Sequence, residues 1–248
     1  MANLNKFVAA VLILTFLVSL PLAIVQIEAD IVAVQFTIEY DESYGKPSEP
    51  PGLAKPPKGD RNDDYKIWFN RYTVSYIPMD MYVYWENSYG LSEDFVYGAV
   101  CSAADAWDSV TYDTLVQDAF KRTGTAAIER NYENTVFFGD YSVSGVIAVA
   151  TVWYNRRSRT LLECDIMFDT DWIWGDADPD NDGIAEVNVM DLQNIATHEL
   201  GHCFNLADIY DSSLDYLTMY GHSWYGDVEK RTLADGDKAG IQSLFGAT

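Results

Sequence analysis

Two histidines and a glutamate near residue 200 have the types and the spacing needed for zinc chemistry. His198, Glu199 and His202 form a His-Glu-x-x-His pattern. On a helix, side chains four residues apart project from one face, so the two imidazoles can hold one Zn²⁺. Glu199 lies beside them and can take a proton from a water that the metal activates. The alternative is a surface helix with a chance His pair, but two of the chain's three histidines lie here.

A third oxygen ligand is available downstream at Asp208. A catalytic zinc has three protein ligands and a water, whereas a structural zinc is closed by four protein ligands. Asp208 is too far beyond His202 to share one helical face, so the helix must end between them. Asn205 is the expected end, because Asn tolerates the left-handed conformation that terminates helices. The sequence therefore predicts a turn at Asn205 that returns Asp208 to the metal.

These residues resemble the motif of the metzincin zinc endopeptidases, which reads His-Glu-x-x-His-x-x-Gly-x-x-His and is followed by a tight turn carrying a Met. Asn205 stands in the Gly position and Asp208 in that of the third His, which is similar to snapalysin-type metzincins. The segment Leu217–Gly221 resembles the Met-turn, with Met219 as an apolar floor under the metal. The resemblance implies a zinc-dependent endopeptidase with one catalytic zinc.

Two residues beside the Met-turn are further candidates for the pocket. Some metzincins place a Tyr two residues after the Met, close to the metal, but here that position is Gly221. His222 and Tyr220 are the neighbouring alternatives. Either could steady the transition state, or simply line the pocket.

An acidic loop precedes the zinc motif and offers a second metal site. Its carboxylates alternate along the chain at Asp176, Asp178, Asp180 and Asp182. Such spacing before a Gly turn can wrap Ca²⁺, as in the first half of an EF-hand loop. Counted from Asp178, however, the twelfth position is Val189 rather than the bidentate Glu. A calcium site and a solvated acidic loop both remain open.

The rest of the chain contains the elements that must position these residues. Apolar spacing predicts a helix from Ser92 to Trp107, with Trp107 in the core, and the front of the zinc helix at Val187–Ala196. Strands are predicted at Asp30–Tyr40, Met81–Trp85, Thr135–Phe138, Val146–Tyr154 and Leu161–Phe168.

This order resembles a matrixin catalytic domain, which implies an α+β, zincin-like fold. The fold would contain a twisted mixed β-sheet, a long packing helix, the active-site zinc helix and a C-terminal helix with Ile241 facing the core. The resemblance also makes the strand Val146–Tyr154 the sheet edge that pairs with an extended peptide or protein substrate. The histidine that binds a structural zinc in matrixins is replaced by Met167, so a second zinc is not expected.

The chain divides into three predicted parts. Residues 1–29 form a signal peptide or a membrane anchor, because Lys6 precedes the uncharged run Phe7–Ile27. Residues 30–64 form an N-terminal extension and Pro-rich linker, and residues 65–248 form the catalytic domain. Both readings of the first part make the protein secreted or extracellular, with the N-terminal segment as its only contact with a membrane.

Composition and cysteine positions restrict the function further. The net charge of −22 over 248 residues argues against nucleic acid as a partner. No cysteine precedes Cys101, so the propeptide cysteine that keeps many matrixins latent is absent. Three cysteines leave at least one free thiol; a bridge between Cys101 and Cys164 stays open, with Cys203 expected as a buried thiol. The alternative functions are a zinc hydrolase for a small substrate and a non-catalytic calcium-binding surface module.

Overall fold

The computed structural model describes residues 30–42, 64–69 and 71–248. The predicted signal peptide or anchor, and the prolines of the predicted linker, lie outside the described residues. Within the described ranges, no helix has the length and apolar character needed to cross a membrane.

The described chain forms one large mixed sheet, a small two-stranded sheet and three α-helices. The strands are β1 (Ile31–Tyr40), β2 (Thr73–Val74), β3 (Met79–Tyr84), β4 (Val116–Arg122), β5 (Asn134–Gly139), β6 (Val146–Asn155), β7 (Thr160–Asp169), β8 (Trp174–Gly175), β9 (Met190–Asp191) and β10 (His222–Ser223). The helices are α1 (Glu93–Asp108), α2 (Leu192–Cys203) and α3 (Asp235–Phe245), with 3₁₀ turns at Ser212–Leu214 and Glu229–Arg231.

The large sheet has the order β10-β1-β6-β7-β5-β3-β4, with β2 also pairing with β7. Strand β6 runs antiparallel to both β1 and β7, while the other neighbouring pairs are parallel. The predicted α+β class is confirmed, although β4 was not predicted. Its residues are mostly exposed, so it lacks the alternation of a half-buried strand.

Helix α1 follows its predicted pattern closely. Ser92 caps it by accepting a hydrogen bond from the Phe95 N–H at 3.2 Å, and its apolar side chains are buried. Trp107 is fully buried and donates its indole N–H to the Thr197 carbonyl of α2 at 2.8 Å. The expected core position of Trp107 is confirmed, and this bond links the long helix to the zinc helix.

Helix α2 begins later than predicted. Residues 187–189 precede it, and Met190–Asp191 pairs with Trp174–Gly175 in the small sheet. The carboxylate of Asp191 then accepts the Asn194 N–H at 2.9 Å, which caps the helix. The prediction that the helix starts at Val187 is therefore wrong. Residues Met190 and Asp191 pair with β8 as a strand, so the helix can begin only after the capping residue Asp191.

The predicted sheet edge at Val146–Tyr154 is also wrong. Strand β6 lies between β7 and β1, and β1 pairs with it from Ile31 to Glu39. Nearly every residue of β6 is buried, as expected for a strand that is covered on both faces and along both edges. The N-terminal extension therefore contributes a strand to the same sheet as residues 65–248, which differs from the predicted division of the chain.

A disulfide joins Cys164 of β7 to Cys203, the last residue of α2, with 5.5 Å between their Cα atoms. Cys101 is the free cysteine of the described chain and is half-buried. The open Cys101–Cys164 pairing is thus excluded, and the prediction of a buried thiol at Cys203 is wrong. Packing of α2 on the sheet brings the two bonded positions together.

Candidate metal centre

Three predicted ligands converge beneath the sheet. The Nε2 atoms of His198 and His202 are 3.1 Å apart, and Asp208 Oδ1 lies 3.3 Å and 3.4 Å from them, respectively. Both imidazoles are buried and Asp208 is 8% exposed. The three residues therefore form a group that could hold a metal ion.

Hydrogen bonds on the far side of each imidazole favour metal binding. His198 Nδ1 lies 2.7 Å from the Thr218 carbonyl and His202 Nδ1 lies 2.9 Å from that of Leu206. Each Nδ1–H therefore donates, and the Nε2 lone pairs face Asp208 Oδ1. Because the Asp208 carboxylate is buried beside two imidazoles, either a proton on one imidazole or a bound cation must balance its negative charge. Four ligands at ~2.0–2.2 Å around zinc lie about 3.3 Å apart, so the donor set fits Zn²⁺.

The turn that delivers Asp208 is built around Asn205, as predicted. Asn205 has a φ of 78°, in the left-handed region. Its side chain accepts the Phe69 N–H at 2.9 Å and donates to the Phe69 carbonyl at 3.1 Å. The Leu206 N–H donates to the Gly201 carbonyl at 2.9 Å, which closes the end of α2. The local sequence therefore ends the helix where the third ligand requires it.

Glu199 lies beside this group and is fully buried. Within the described chain, neither of its carboxylate oxygens makes a hydrogen bond of normal geometry, although the backbone N–H of Ala150 is close enough to lower its pKa slightly. Burial raises the pKa of Glu199 to about 8, against a smaller opposing influence from His202. A cation held by the neighbouring His-His-Asp group would lower this pKa again, because a nearby positive charge favours the carboxylate, and the carboxylate could then accept a proton.

The Met-turn lies against the zinc helix, in the place expected for Met219. A Cβ atom on Gly201 would collide with the Met219 thioether, so only Gly permits this approach. The carboxylate of Asp237, in α3, accepts the backbone N–H groups of Thr218 at 2.9 Å and Met219 at 3.1 Å. The sequence did not single out Asp237 for this role, because an acidic residue in a first helical turn is ordinary.

Tyr220 lies within the Met-turn segment and His222 directly after it, with their ring centroids 5.4 Å apart. A third aromatic residue, Tyr210, was missed: its ring lies 5.5 Å from that of His222 and fills the space over Gly221. Burial and the charge of Asp208 raise the pKa of Tyr210 to about 12. Its position two residues after Asp208, in a polar stretch, was the available signal.

The acidic loop gathers a slightly different set of carboxylates from the one predicted. Asp178, Asp180 and Asp182 come together with Glu186. Asp176 is not in that group and instead forms an ion pair with Arg231, which also binds the helix-capping Asp191. Arg231 thus ties the loop to the start of the zinc helix. Calcium binding by this loop stays a prediction.

The mixed sheet, the packed helices and the buried His-His-Asp group with its neighbouring glutamate define a zinc metallopeptidase domain. The family model described as matrixin matches residues 75–246, so the chain belongs to the matrixin family. No curated protein matches the chain. The catalytic zinc that membership implies fits the donor atoms described above.

Proposed function

We propose that this protein is a zinc-dependent endopeptidase in which His198, His202 and Asp208 bind the metal and Glu199 is the general base. The observation that carries the proposal is the convergence of three buried electron-pair donors, 3.1–3.4 Å apart. The buried carboxyl of Glu199, which makes no hydrogen bond of normal geometry in the described chain, lies beside them. Family membership supports the reaction class.

The residues of the chain divide the work of hydrolysis among them. Zinc bound at this site would supply a Lewis acid that polarises the peptide carbonyl and makes water a better nucleophile. Glu199 accepts the proton of the attacking water and later delivers it to the leaving amine, as the C–N bond breaks. The carbonyls of Thr218 and Leu206 hold the two imidazoles in the tautomer that presents Nε2.

Metal analysis combined with a protease assay tests this proposal. Purified protein is expected to carry one equivalent of zinc and to cleave casein, and a chelator should remove both the metal and the activity. Cleavage of a mixed peptide library would separate an endopeptidase from a zinc hydrolase that acts on a small substrate. A protein that binds calcium but neither zinc nor peptides would instead support the non-catalytic alternative.

We also propose that the protein works outside the cytoplasm, either secreted or anchored by its first segment. The apolar run after Lys6 supports this location. The Cys164–Cys203 disulfide supports it too, because such bonds persist in oxidising compartments. Amino-terminal sequencing of the native protein distinguishes a cleaved signal from a retained anchor. A cytoplasmic protein beginning at Met1 would contradict both.

A further inference from the structure

Strand β1 occupies the side of β6 that an incoming peptide would need. It runs antiparallel to β6 from Ile31 to Glu39, and its end pairs in parallel with β10 through Glu39 and Tyr40. These pairings occupy the backbone groups with which an extended peptide could add to β6. The family match begins only at residue 75, so β1 is not part of the matched domain.

The same strand extends over the metal centre. The Phe36 ring stacks on the imidazole of His202, with centroids 4.4 Å apart and planes at 11°. Ile38 is fully buried, and the Glu39 N–H donates to the carbonyl of Gly221, the last residue of the Met-turn segment, at 3.1 Å. Strand β1 therefore contacts β6, the proposed metal ligand His202 and the end of the Met-turn, and the space that it fills between them is the groove that a substrate would need.

We infer that β1 is an internal, substrate-like strand that keeps the activity of the intact protein low, and that a peptide substrate enters this groove only while β1 is displaced from it. The inference rests on the proposed peptidase function, since it assigns the groove between β6 and β10 to the substrate. This chain lacks the propeptide cysteine that keeps many matrixins latent. Strand β1 would instead block access to the metal centre sterically, without supplying any of its three candidate ligands.

The side chains of β1 indicate which peptides the groove accepts. Phe36 and Ile38 point inward and are buried, whereas the alternating Ala33, Gln35 and Glu39 are exposed. A substrate in the same register would place an aromatic side chain over His202 and a branched aliphatic side chain two residues later. Exposed positions would tolerate polar residues, and the main-chain bonds to β6 would be independent of sequence.

The sequence that connects β1 to the rest of the chain would allow the strand to leave the groove. The strand is joined to the rest of the domain by a stretch that contains five of the chain's eight prolines. A tethered strand rebinds at an effective concentration on the order of millimolar, which keeps the groove filled in the intact chain. Cutting the connection removes that advantage, so dilution of the cut protein should empty the groove.

The test uses the full chain with a recognition site for a specific protease inserted between Pro47 and Pro57. Cutting, followed by dilution, should raise kcat/KM on an apolar peptide by at least about tenfold, with unchanged zinc content. In the uncut chain, Phe36→Lys should also raise activity, because it places a charge against His202. Ala33→Lys adds the same charge to the exposed face and should leave activity unchanged.

A binding measurement separates this inference from the peptidase proposal. A fluorescent peptide of residues 31–41 should bind the cut protein but not the intact one, and its Phe36→Lys version should bind at least about tenfold more weakly. Binding without hydrolysis would support the latent strand and contradict the peptidase function. Equal hydrolysis by cut and intact protein, or unfolding of the domain on cutting, would make β1 a fixed structural strand and overturn the inference.

Discussion

At the scale of single residues, the chemistry depends on where the lone pairs of three side chains point. Two backbone carbonyls fix the tautomers of His198 and His202, and the turn at Asn205 brings Asp208 Oδ1 to their Nε2 atoms. Glu199 sits beside this group without being part of it. Metal binding and proton transfer should therefore be separable by mutation.

Replacing Glu199 with Gln should abolish turnover without removing zinc. The amide keeps the shape of the side chain but cannot accept the proton, so we expect a loss on the order of 10²–10⁴ in kcat. Metal content is measured by elemental analysis and activity by casein cleavage. Glu186→Gln, an exposed carboxylate in the acidic loop, is the matched control and should keep full activity. Retention of more than about 5% activity would remove Glu199 as the base.

Replacing Asp208 with Ala should remove zinc and activity together, because the remaining pair of imidazoles binds the metal too weakly. Asp208→His should keep part of both, since an imidazole can supply the third bond. His222→Ala and Asp211→Ala should retain one equivalent of zinc, even if the rate falls. If His222→Ala loses the metal while Asp208→Ala retains it, the assignment of the third ligand is wrong.

At the scale of elements, the zinc helix α2 is restrained along its length. Asp191 caps its beginning, Trp107 of α1 bonds its middle, and Met219 packs against Gly201. At its end, Cys203 is covalently joined to β7. These contacts hold the two histidines in register with the Met-turn, which a free helix could not do.

Loss of the disulfide should weaken this arrangement measurably. The bond between Cys164 and Cys203 closes a segment with a sequence separation of 39. A loop of that length predicts a loss of about 4 kcal/mol in the free energy of unfolding when both cysteines become Ala. Urea titration with and without reductant measures the effect. Cys101→Ser keeps the disulfide and is the control: without reductant its urea midpoint should match that of the wild type. If reduction leaves the midpoint of the wild type unchanged, the prediction is wrong.

At the scale of the whole molecule, a strongly acidic chain also buries carboxylates in its core. Glu163 and Asp165 of β7 are both buried. Glu163 accepts the N–H groups of Asn131 and Tyr132, each at 2.8 Å, and Asp165 accepts the Thr135 N–H at 3.0 Å. These bonds dock the connection between β4 and β5 onto the sheet. Burial nevertheless raises the pKa of Asp165 to about 7.

The raised pKa of Asp165 predicts that stability falls as pH rises. The native carboxyl holds its proton up to about pH 7, whereas the unfolded one loses it near ~3.9. The stabilisation that Asp165 contributes is therefore fully present below ~3.9, the pKa of the unfolded state, and is lost as the pH rises through about 7. Relative to Asp165→Asn, the wild type should lose on the order of 2–4 kcal/mol across this range.

Urea unfolding of both proteins at several pH values measures the difference, and zinc effects cancel in the comparison if both are saturated. Asp113→Asn, an exposed position, is the matched control and should follow the wild type. If Asp165→Asn shows the same pH dependence as the wild type, Asp165 is ionised in the native protein throughout the range.

The sequence by itself determined the features that depend on local periodicity and backbone preference. The pattern of His198 and His202, the left-handed turn at Asn205 and the apolar stripe ending at Trp107 all follow from the sequence. Each depends on neighbours within a few turns of chain, so spacing was sufficient. The mixed sheet and the C-terminal helix were implied by the resemblance to matrixins rather than by local spacing.

Only the tertiary structure decided which distant segments meet. Contacts between distant segments decide which cysteine bonds to Cys203 and place Asp237 under the Met-turn. They also bring Glu186 next to the aspartates of the acidic loop. The alternation in Val34–Tyr40 predicted a strand, but alternation specifies a buried face and not a neighbour. Strand β1 could therefore be assigned to the side of β6, over the zinc helix, only from the packed structure.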